Sequence, residues 1–125
     1  MARIDAPLPI SLAAMHIPNQ HTGRKPYFHQ SVLNVARTWR SRPAVMIGDT
    51  NSGRIGLDET NSVFNAATDQ WFCDLEALKW IDSFRHAKGN EREYTWFSPN
   101  KGNGFRLDQG FVNGILTPHL RNVRH

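Results

Sequence analysis

Cysteine and long apolar runs are what this sequence has least of. Cys73 is the single cysteine among 125 residues, which excludes an intrachain disulfide and a cysteine-rich metal site and favours a cytoplasmic setting. The longest apolar runs, at 12–15 and 44–47, fall far below the roughly 20 residues that a membrane-spanning helix needs. We therefore expect no membrane span.

Acidic residues are outnumbered by basic ones. The chain has 11 Asp and Glu against 15 Lys and Arg, a formal net charge of +4 with a pI near 9.7. This excess favours a polyanionic partner such as nucleic acid, because positive charge attracts phosphates. The length suits one small domain or a piece of a larger one, and the 39% hydrophobic content is typical of a folded domain.

Hydrophobic periodicity predicts alternating strands and helices. The predicted order is strand, helix, buried strand, helix and two further strands, at residues 10–17, 26–39, 44–47, 64–78, 94–98 and 105–112. This order indicates an α/β (α+β) fold in which helices cover a sheet. The first strand presents Leu12 and His16 on one face, and the first helix has an apolar stripe that includes Phe28 and a polar face that includes His29.

A turn of small polar residues, Gly-Asp-Thr-Asn at 48–51, follows the buried strand. Such a turn delivers side chains to the rim of a sheet, where ligands bind. Residues at i and i+2 of an extended segment point the same way, so Asp49 and Asn51 can address one ligand. The carboxylate can take a proton from water or hold a divalent cation, and the carboxamide can contact a phosphate oxygen. Alternatively, the two residues only form an Asx-type turn.

Further candidates lie in three other segments. Arg106 and Asp108 alternate away from Phe105 in the last strand, either as a phosphate clamp beside an orienting acid or as a solvated ion pair. Trp96 precedes a polar loop, where an aromatic face can stack an unpaired base, or it is a core residue. His16 ends a strand, where it donates either to a phosphate oxygen or to neighbouring backbone.

Taken in order, five segments resemble the endonuclease/exonuclease/phosphatase superfamily of abasic-site endonucleases, exonuclease III-type enzymes and DNase I-like nucleases. They are Met-His-Ile-Pro-Asn at 15–19, Val-Met-Ile-Gly-Asp-Thr-Asn at 45–51, Trp-Ile-Asp-Ser-Phe-Arg at 80–85, Glu-Tyr-Thr-Trp-Phe-Ser at 93–98 and Gly-Phe-Arg-Leu-Asp-Gln-Gly-Phe-Val at 104–112. The resemblance implies a four-layer αββα sandwich, of which this chain supplies one mixed sheet with covering helices. It also implies metal-dependent hydrolysis of phosphodiesters, with DNA as the expected substrate.

The resemblance implies a role for each matching position. Asp49 orients or deprotonates the attacking water, Asn51 contacts the scissile phosphate, and the two hold Mg²⁺ or Mn²⁺. His16 stabilises charge on the phosphate, and Asp108 supports a C-terminal catalytic histidine or assists metal binding. The residues expected beside the substrate are Asn19, Trp96 and Arg106.

Two features of the superfamily have no counterpart here: the glutamate that is its main metal ligand, and its closing Ser-Asp-His motif. We therefore expect residues 1–125 to form a single partial domain without the N-terminal half and the Ser-Asp-His segment, weakly active or inactive alone. Its uncovered apolar sheet face would favour a homodimer. The alternatives are a non-catalytic remnant that binds phosphate or a partner, and a phosphatase or lipid phosphodiesterase of the same superfamily.

Overall fold

A computed structural model gives the fold of residues 9–125; residues 1–8, part of the single domain predicted over 1–125, lie outside the described residues. The elements in chain order are β1 (Ser11–His16), α1 (Lys25–Thr38), β2 (Ala44–Asp49), α2 (Ala66–Ala77), β3 (Trp80–Asp82), α3 (Ser83–Lys88), β4 (Trp96–Phe97), β5 (Gly104–Phe105) and β6 (Asp108–Asn113). Short 3₁₀ turns lie at Gln20–Thr22 and Thr117–His119. None of the helices in this part of the chain is long and apolar enough to cross a membrane.

A mixed four-stranded sheet organises the fold, with the strand order β1-β2-β6-β3. β1 and β2 are parallel, whereas β6 runs antiparallel to both of its neighbours, β2 and β3. β4 and β5 pair separately as a short antiparallel ribbon. This arrangement confirms the predicted α/β (α+β) class, with one mixed sheet and covering helices.

The hydrophobic core lies between one face of this sheet and helices α1 and α2. Met46 and Phe111 from the sheet pack with Trp71 and Leu75 from α2, and all four are almost fully buried. The buried tryptophan also satisfies its polar atom, because Trp71 Nε1 donates to the backbone oxygen of His29 at 3.1 Å. The core thereby fixes α1 and α2 against the strands.

Side chains that accept backbone hydrogen bonds define where two helices begin. Asn65 Oδ1 accepts from Thr68 N at 2.9 Å before α2, and Asp82 Oδ1 accepts from Phe84 N at 3.1 Å before α3. Each bond satisfies an amide that the helix itself leaves unpaired. Pro26 occupies the first turn of α1, where its missing N–H costs no helical hydrogen bond.

The buried face of α1 differs from the predicted one. The buried positions are Lys25, His29, Leu33 and Ala36. Phe28, predicted to belong to the apolar stripe, is 42% exposed. His29 was predicted to be polar and exposed, but its ring stacks on Trp71 with the centroids 4.2 Å apart. The prediction was wrong because α1 turns this face towards Trp71 of α2 and towards the turn after β2, where His29 and Lys25 find their partners.

The single strand predicted over 105–112 is two strands, β5 and β6, which belong to different sheets. Arg106 and Leu107 lie between these two strands, and their backbone atoms form hydrogen bonds with other segments of the chain. Arg106 N donates to Asp58 O at 2.9 Å, and Thr50 N donates to Leu107 O at 2.8 Å. These bonds hold the segment between the two sheets, where Arg106 is fully buried.

The opposite face of the sheet is open over β1 and β2. Leu12 and Ile47 keep 55% and 50% of their surface exposed, and Ala14 beside them is exposed too. The register aligns Leu12 with Val45 and Ala14 with Ile47, so these side chains share one face. An apolar patch of this kind on a sheet is typical of a surface that packs against another layer.

Candidate active site

The turn that ends β2 holds Asp49 and Asn51 in a fixed arrangement. Asn51 has a φ of 45°, in the left-handed region that asparagine tolerates better than most residues. Asp49 Oδ1 accepts from Asn51 N at 2.9 Å, so the Asx-type turn is present. Asn51 Nδ2 donates to Ile17 O at 2.6 Å, and Lys25 Nζ donates to Asn51 O. The turn is therefore attached to the end of β1 and to the start of α1.

Three predicted side chains form a row across three strands. His16 on β1 is aligned with Asp49 on β2, which in turn is aligned with Asp108 on β6. Aligned residues on adjacent strands point to the same face. His16 Nε2 lies 3.9 Å from Asp49 Oδ2, and the His16 side chain is 81% exposed. An imidazole and two carboxylates thus share one end of the sheet.

A cavity of about 460 Å³ lies beside this turn. It brings together Asn19, Asp49, Asn51 and Trp96, which come from the segment after β1, the end of β2 and β4. The other residues that line it are His21, Lys25, Val63, Phe64, Ser98, Phe105 and Leu107. The cavity combines a carboxylate and carboxamides with aromatic rings.

Aromatic rings form one wall of the cavity. Trp96 is aligned with Phe105 across the β4–β5 ribbon, and their ring centroids are 5.8 Å apart. Phe64 meets Phe105 edge-on at 5.7 Å. Trp96 is 45% exposed, so it is not the core residue that one interpretation of the sequence proposed. Its side chain is partly exposed beside the cavity.

Arg106 does not reach the cavity. Its side chain has no exposed surface; Nε donates to Asp58 Oδ1 at 2.8 Å, and Nη2 donates to Asp82 Oδ2. Burial by itself disfavours the charge, but Asp82 and Asp58 raise the pKa of Arg106 overall. The predicted position beside the substrate is therefore not supported, and neither is a solvated ion pair. Arg106 links the loop after β2 to the start of α3.

Lys25 and His29 belong to the surroundings of the site, and neither was predicted from the sequence. Burial lowers the pKa of Lys25, with Asp49 acting in the opposite direction. Burial, together with the charge of Lys25, lowers the pKa of His29 from 6.5 to about 4. His29 Nε2 lies 2.9 Å from Ser52 Oγ. Their spacing of four residues, which places both on one face of α1, is the signal that could have found them.

This end of the sheet carries carboxylate and carboxamide oxygens, which are ligands of the kind that bind a divalent cation. Within residues 9–125, no three His, Cys, Asp or Glu side chains come together as a metal cluster. Mg²⁺, however, usually keeps several waters and is held by one or two carboxylates plus substrate phosphate. Asp49 and Asp108 on neighbouring strands, with the carboxamide of Asn51, fit a partly hydrated ion of this kind.

The arrangement of the sheet and its helices is similar to that of three solved structures with the DNase I-like fold. A 3'-5' exonuclease from Neisseria meningitidis matches with a TM-score of 0.79 at 21% identity over 90% of this chain. A 3' phosphatase from Neisseria bound to product DNA hairpin matches with a TM-score of 0.73 at 22% identity over 82% of this chain. An AP endonuclease from Archaeoglobus fulgidus matches with a TM-score of 0.70 at 20% identity over 87% of this chain. The resemblance seen in the five sequence segments is thus confirmed at the level of the fold.

The chain spans about half the length of each of these structures: 52%, 46% and 51% respectively. No family model matches the sequence, and no curated protein matches it. At identities of 20–22%, the likeness establishes the fold. Activity depends on the residues of the site and not on the fold alone.

Proposed function

We propose that this chain takes part in divalent-metal-dependent hydrolysis of DNA phosphodiesters, as an endonuclease or exonuclease. The observation that carries the proposal is the cavity shared by Asn19, Asp49, Asn51 and Trp96. A carboxylate can activate water, carboxamides can donate to phosphate oxygens, and an exposed indole can stack a base. Together these functions suit the binding and hydrolysis of a nucleic acid strand.

Asp49 is the proposed general base. Its Oδ1 is occupied by the bond from Asn51 N, so Oδ2 is the oxygen that orients or deprotonates the attacking water. The side chain is 39% exposed, which gives water access to it. His16 Nε2, 3.9 Å from Oδ2, is placed to donate to a phosphate oxygen and to stabilise the charge that develops there.

Two asparagines are the proposed phosphate contacts. Asn51 Nδ2 uses one N–H on Ile17 O, and a side-chain amide carries two N–H donors, so the second is available for phosphate. Asn19 Oδ1 accepts from His21 N at 3.2 Å, which leaves the amide nitrogen of Asn19 as the donor. Trp96 stacks the adjacent base.

Mg²⁺ or Mn²⁺ is the proposed cofactor, held by Asp49 and Asn51 with assistance from Asp108. When bound, it supplies positive charge that offsets the charge developing on the phosphate and on the leaving oxygen. Asp108 lies next to Asp49 in the register, which supports this assisting role for its carboxylate.

The structural neighbours and the charge of the chain support a DNA substrate over a lipid or inositol phosphate. The neighbours are a 3'-5' exonuclease, a 3' phosphatase bound to product DNA hairpin and an AP endonuclease. The net charge of +4 favours a polyanion. We place the reaction in the cytoplasm, on the basis of the single cysteine.

The second candidate function is binding of phosphate or of a partner without turnover. It is favoured by the donor set, because residues 9–125 bring together no three carboxylate, imidazole or thiol groups around one point. A weakly held metal ion would support binding yet give slow hydrolysis, since loss of a catalytic component of a site commonly costs several orders of magnitude in rate.

Nicking of supercoiled plasmid tests the proposal. The unaltered chain is compared in Mg²⁺ and in EDTA, beside the variants Asp49→Asn and Glu91→Gln. Glu91 is exposed, so Glu91→Gln removes the same charge at a site that should be silent. We expect weak metal-dependent nicking by the unaltered chain, which falls at least about 100-fold in Asp49→Asn, the size typical of a lost general base, with an unchanged melting temperature.

Each other outcome has a distinct meaning. Nicking that survives in Asp49→Asn comes from a contaminant or another site. An equal loss of fold and activity makes Asp49 a structural turn residue. A folded chain that does not nick in either condition supports the binding function in place of hydrolysis.

The open sheet face suggests a partner as well. We propose that Leu12, Ala14 and Ile47 are covered in solution by a second copy of the chain. Burying apolar side chains that are about half exposed removes unfavourable contact with water. The association would leave the row of His16, Asp49 and Asp108 at the rim of the same face.

A further inference from the structure

Lys25 occupies a position in the cavity that the roles above do not use. It is the one Lys or Arg among the described residues that line the cavity, and only 8% of its surface is exposed. Its Nζ donates to Asn51 O. An ammonium group carries three N–H donors, so this bond leaves two for other acceptors.

The charges around the cavity make this lysine significant. Asp49 is the one Asp or Glu among the same lining residues, and its carboxylate repels an incoming phosphate. Lys25 contributes the opposite charge beside it, so the permanent charges of the lining residues cancel. A charge that is largely shielded from water acts more strongly on a nearby anion than an exposed one does.

We infer that Lys25 is the cationic group that binds phosphate in this cavity, in addition to holding the Asn51 carbonyl. The inference rests on the proposed function, because it names how that site recognises a nucleic acid phosphate. The remaining N–H donors of Lys25 contact a phosphate oxygen, while the Asn51 carboxamide contacts another. Arg106, which the sequence suggested for this role, is committed to Asp58 and Asp82.

Substitutions can separate the charge of Lys25 from its structural role in holding the Asn51 carbonyl. Lys25→Gln keeps an N–H donor for Asn51 O and removes the charge, whereas Lys25→Arg keeps the charge. Lys79→Gln removes an equal charge from an exposed position beside Trp80, which pairs with Asn113 at the opposite end of β6 from Asp108. Lys79→Gln is therefore the matched control.

Fluorescence anisotropy with a labelled single-stranded DNA oligonucleotide measures binding at several salt concentrations, with EDTA present to prevent cleavage. We expect Lys25→Gln to bind about tenfold more weakly, with a log–log salt slope reduced by about 0.7, the value for one lost contact to single-stranded DNA. Lys25→Arg should recover most of the affinity. Lys79→Gln should stay within about twofold of the unaltered chain.

The inference is overturned if Lys25→Gln and Lys79→Gln bind with the same affinity and the same salt dependence. It is also overturned if Lys25→Gln and Lys25→Met lose binding only together with their fold, as followed by thermal melting, because Lys25 would then be structural. If the unaltered chain itself fails to bind the oligonucleotide, the proposed function fails too. Failure of the inference about Lys25 and failure of the proposed function are thus distinguishable.

Discussion

At the scale of single residues, the candidate site depends on α1 as much as on β2. Lys25 bonds to Asn51 O, and His29 lies within hydrogen-bond distance of Ser52 Oγ. Since Ser52 Oγ donates its own proton to Thr50 O at 2.8 Å, His29 Nε2 is the donor in that pair. The first turns of α1 therefore fix the backbone that presents Asp49 and Asn51.

The protonation of His29 gives a pH-dependent stability. Its pKa is lowered to about 4 from 6.5. Between these two values the imidazole is protonated in the unfolded chain but stays neutral in the folded chain. The stabilisation is complete above pH 6.5 and is lost as the pH falls towards 4, by an amount on the order of 3 kcal/mol. Urea unfolding at intervals across this range measures the decrease.

His29→Gln is the control for this pH dependence, because glutamine retains a donor for Ser52 Oγ but does not titrate. The difference in unfolding free energy between the unaltered chain and His29→Gln should shrink as the pH falls. Parallel curves for the two proteins between pH 4 and pH 6.5 would show that His29 does not titrate with a lowered pKa.

Local motifs could locate some site residues but not others. Asn19, Asp49 and Asn51 lie at strand ends and turns that the sequence marks by composition, and Trp96 precedes a polar loop. Arg106 depends on Asp58 and Asp82, which are 48 and 24 positions away in the chain. No alternation pattern contains that information, so the buried ion pairs could not be predicted.

At the scale of secondary structure, the close contact of β1 and β2 requires a glycine. Gly48 has a φ of 151°, and a Cβ there would lie 1.9 Å from Met15 O. Gly48→Ala must therefore push the two strands apart, and we expect it to lower the unfolding free energy by about 3 kcal/mol or more. Urea denaturation monitored by circular dichroism measures this loss.

Gly56→Ala is the matched control for Gly48→Ala. Gly56 also has a positive φ, 69°, but a Cβ there has no atom within 4 Å. Gly56→Ala therefore loses only the tolerance of glycine for a positive φ, which lowers the unfolding free energy by about 1 kcal/mol. If the two variants are equally stable, the contact between β1 and β2 does not depend on glycine at position 48.

Periodicity predicted the longer elements and missed the shorter ones. α1 and α2, with 14 and 12 residues, and β1 and β2, with six each, are long enough to show a repeat. β3 has three residues and α3 has six, too few for a period to emerge. The strand predicted over 94–98 shrinks to β4, because only Trp96 and Phe97 pair with β5.

At the scale of the whole molecule, the open sheet face predicts association. Ile47→Glu places a charge at the centre of the exposed apolar patch, where burial of an unpaired carboxylate is unfavourable. We expect the unaltered chain to self-associate, and Ile47→Glu to raise the dissociation constant at least about tenfold. Sedimentation velocity over a range of protein concentrations measures both.

Ile115→Glu is the control for Ile47→Glu, because Ile115 is 41% exposed but lies after β6, outside the sheet. The dissociation constant of Ile115→Glu should match that of the unaltered chain. A chain that stays monomeric at every concentration, or equal weakening by both variants, would contradict a dimer formed through the sheet face.

The five sequence segments predicted the class of the whole fold through their resemblance to a known superfamily, although they do not show that the sheet places β6 between β2 and β3. They could not predict how β5 and β6 separate, since that depends on backbone bonds from Arg106 and Leu107 to distant segments. They also could not define the cavity, whose lining residues range from Asn19 to Leu107.

The most direct test of the account is to locate bound DNA by NMR. A ¹⁵N-labelled sample is titrated with a short single-stranded DNA oligonucleotide, and amide and indole signals are followed. We predict shifts at Asp49, Asn51 and the Trp96 indole. The indole signal of Trp80, which is buried and bonded to the backbone oxygen of Ala36, should not shift. Shifts that avoid these cavity residues and fall elsewhere on the chain would contradict the assignment of this cavity as the site.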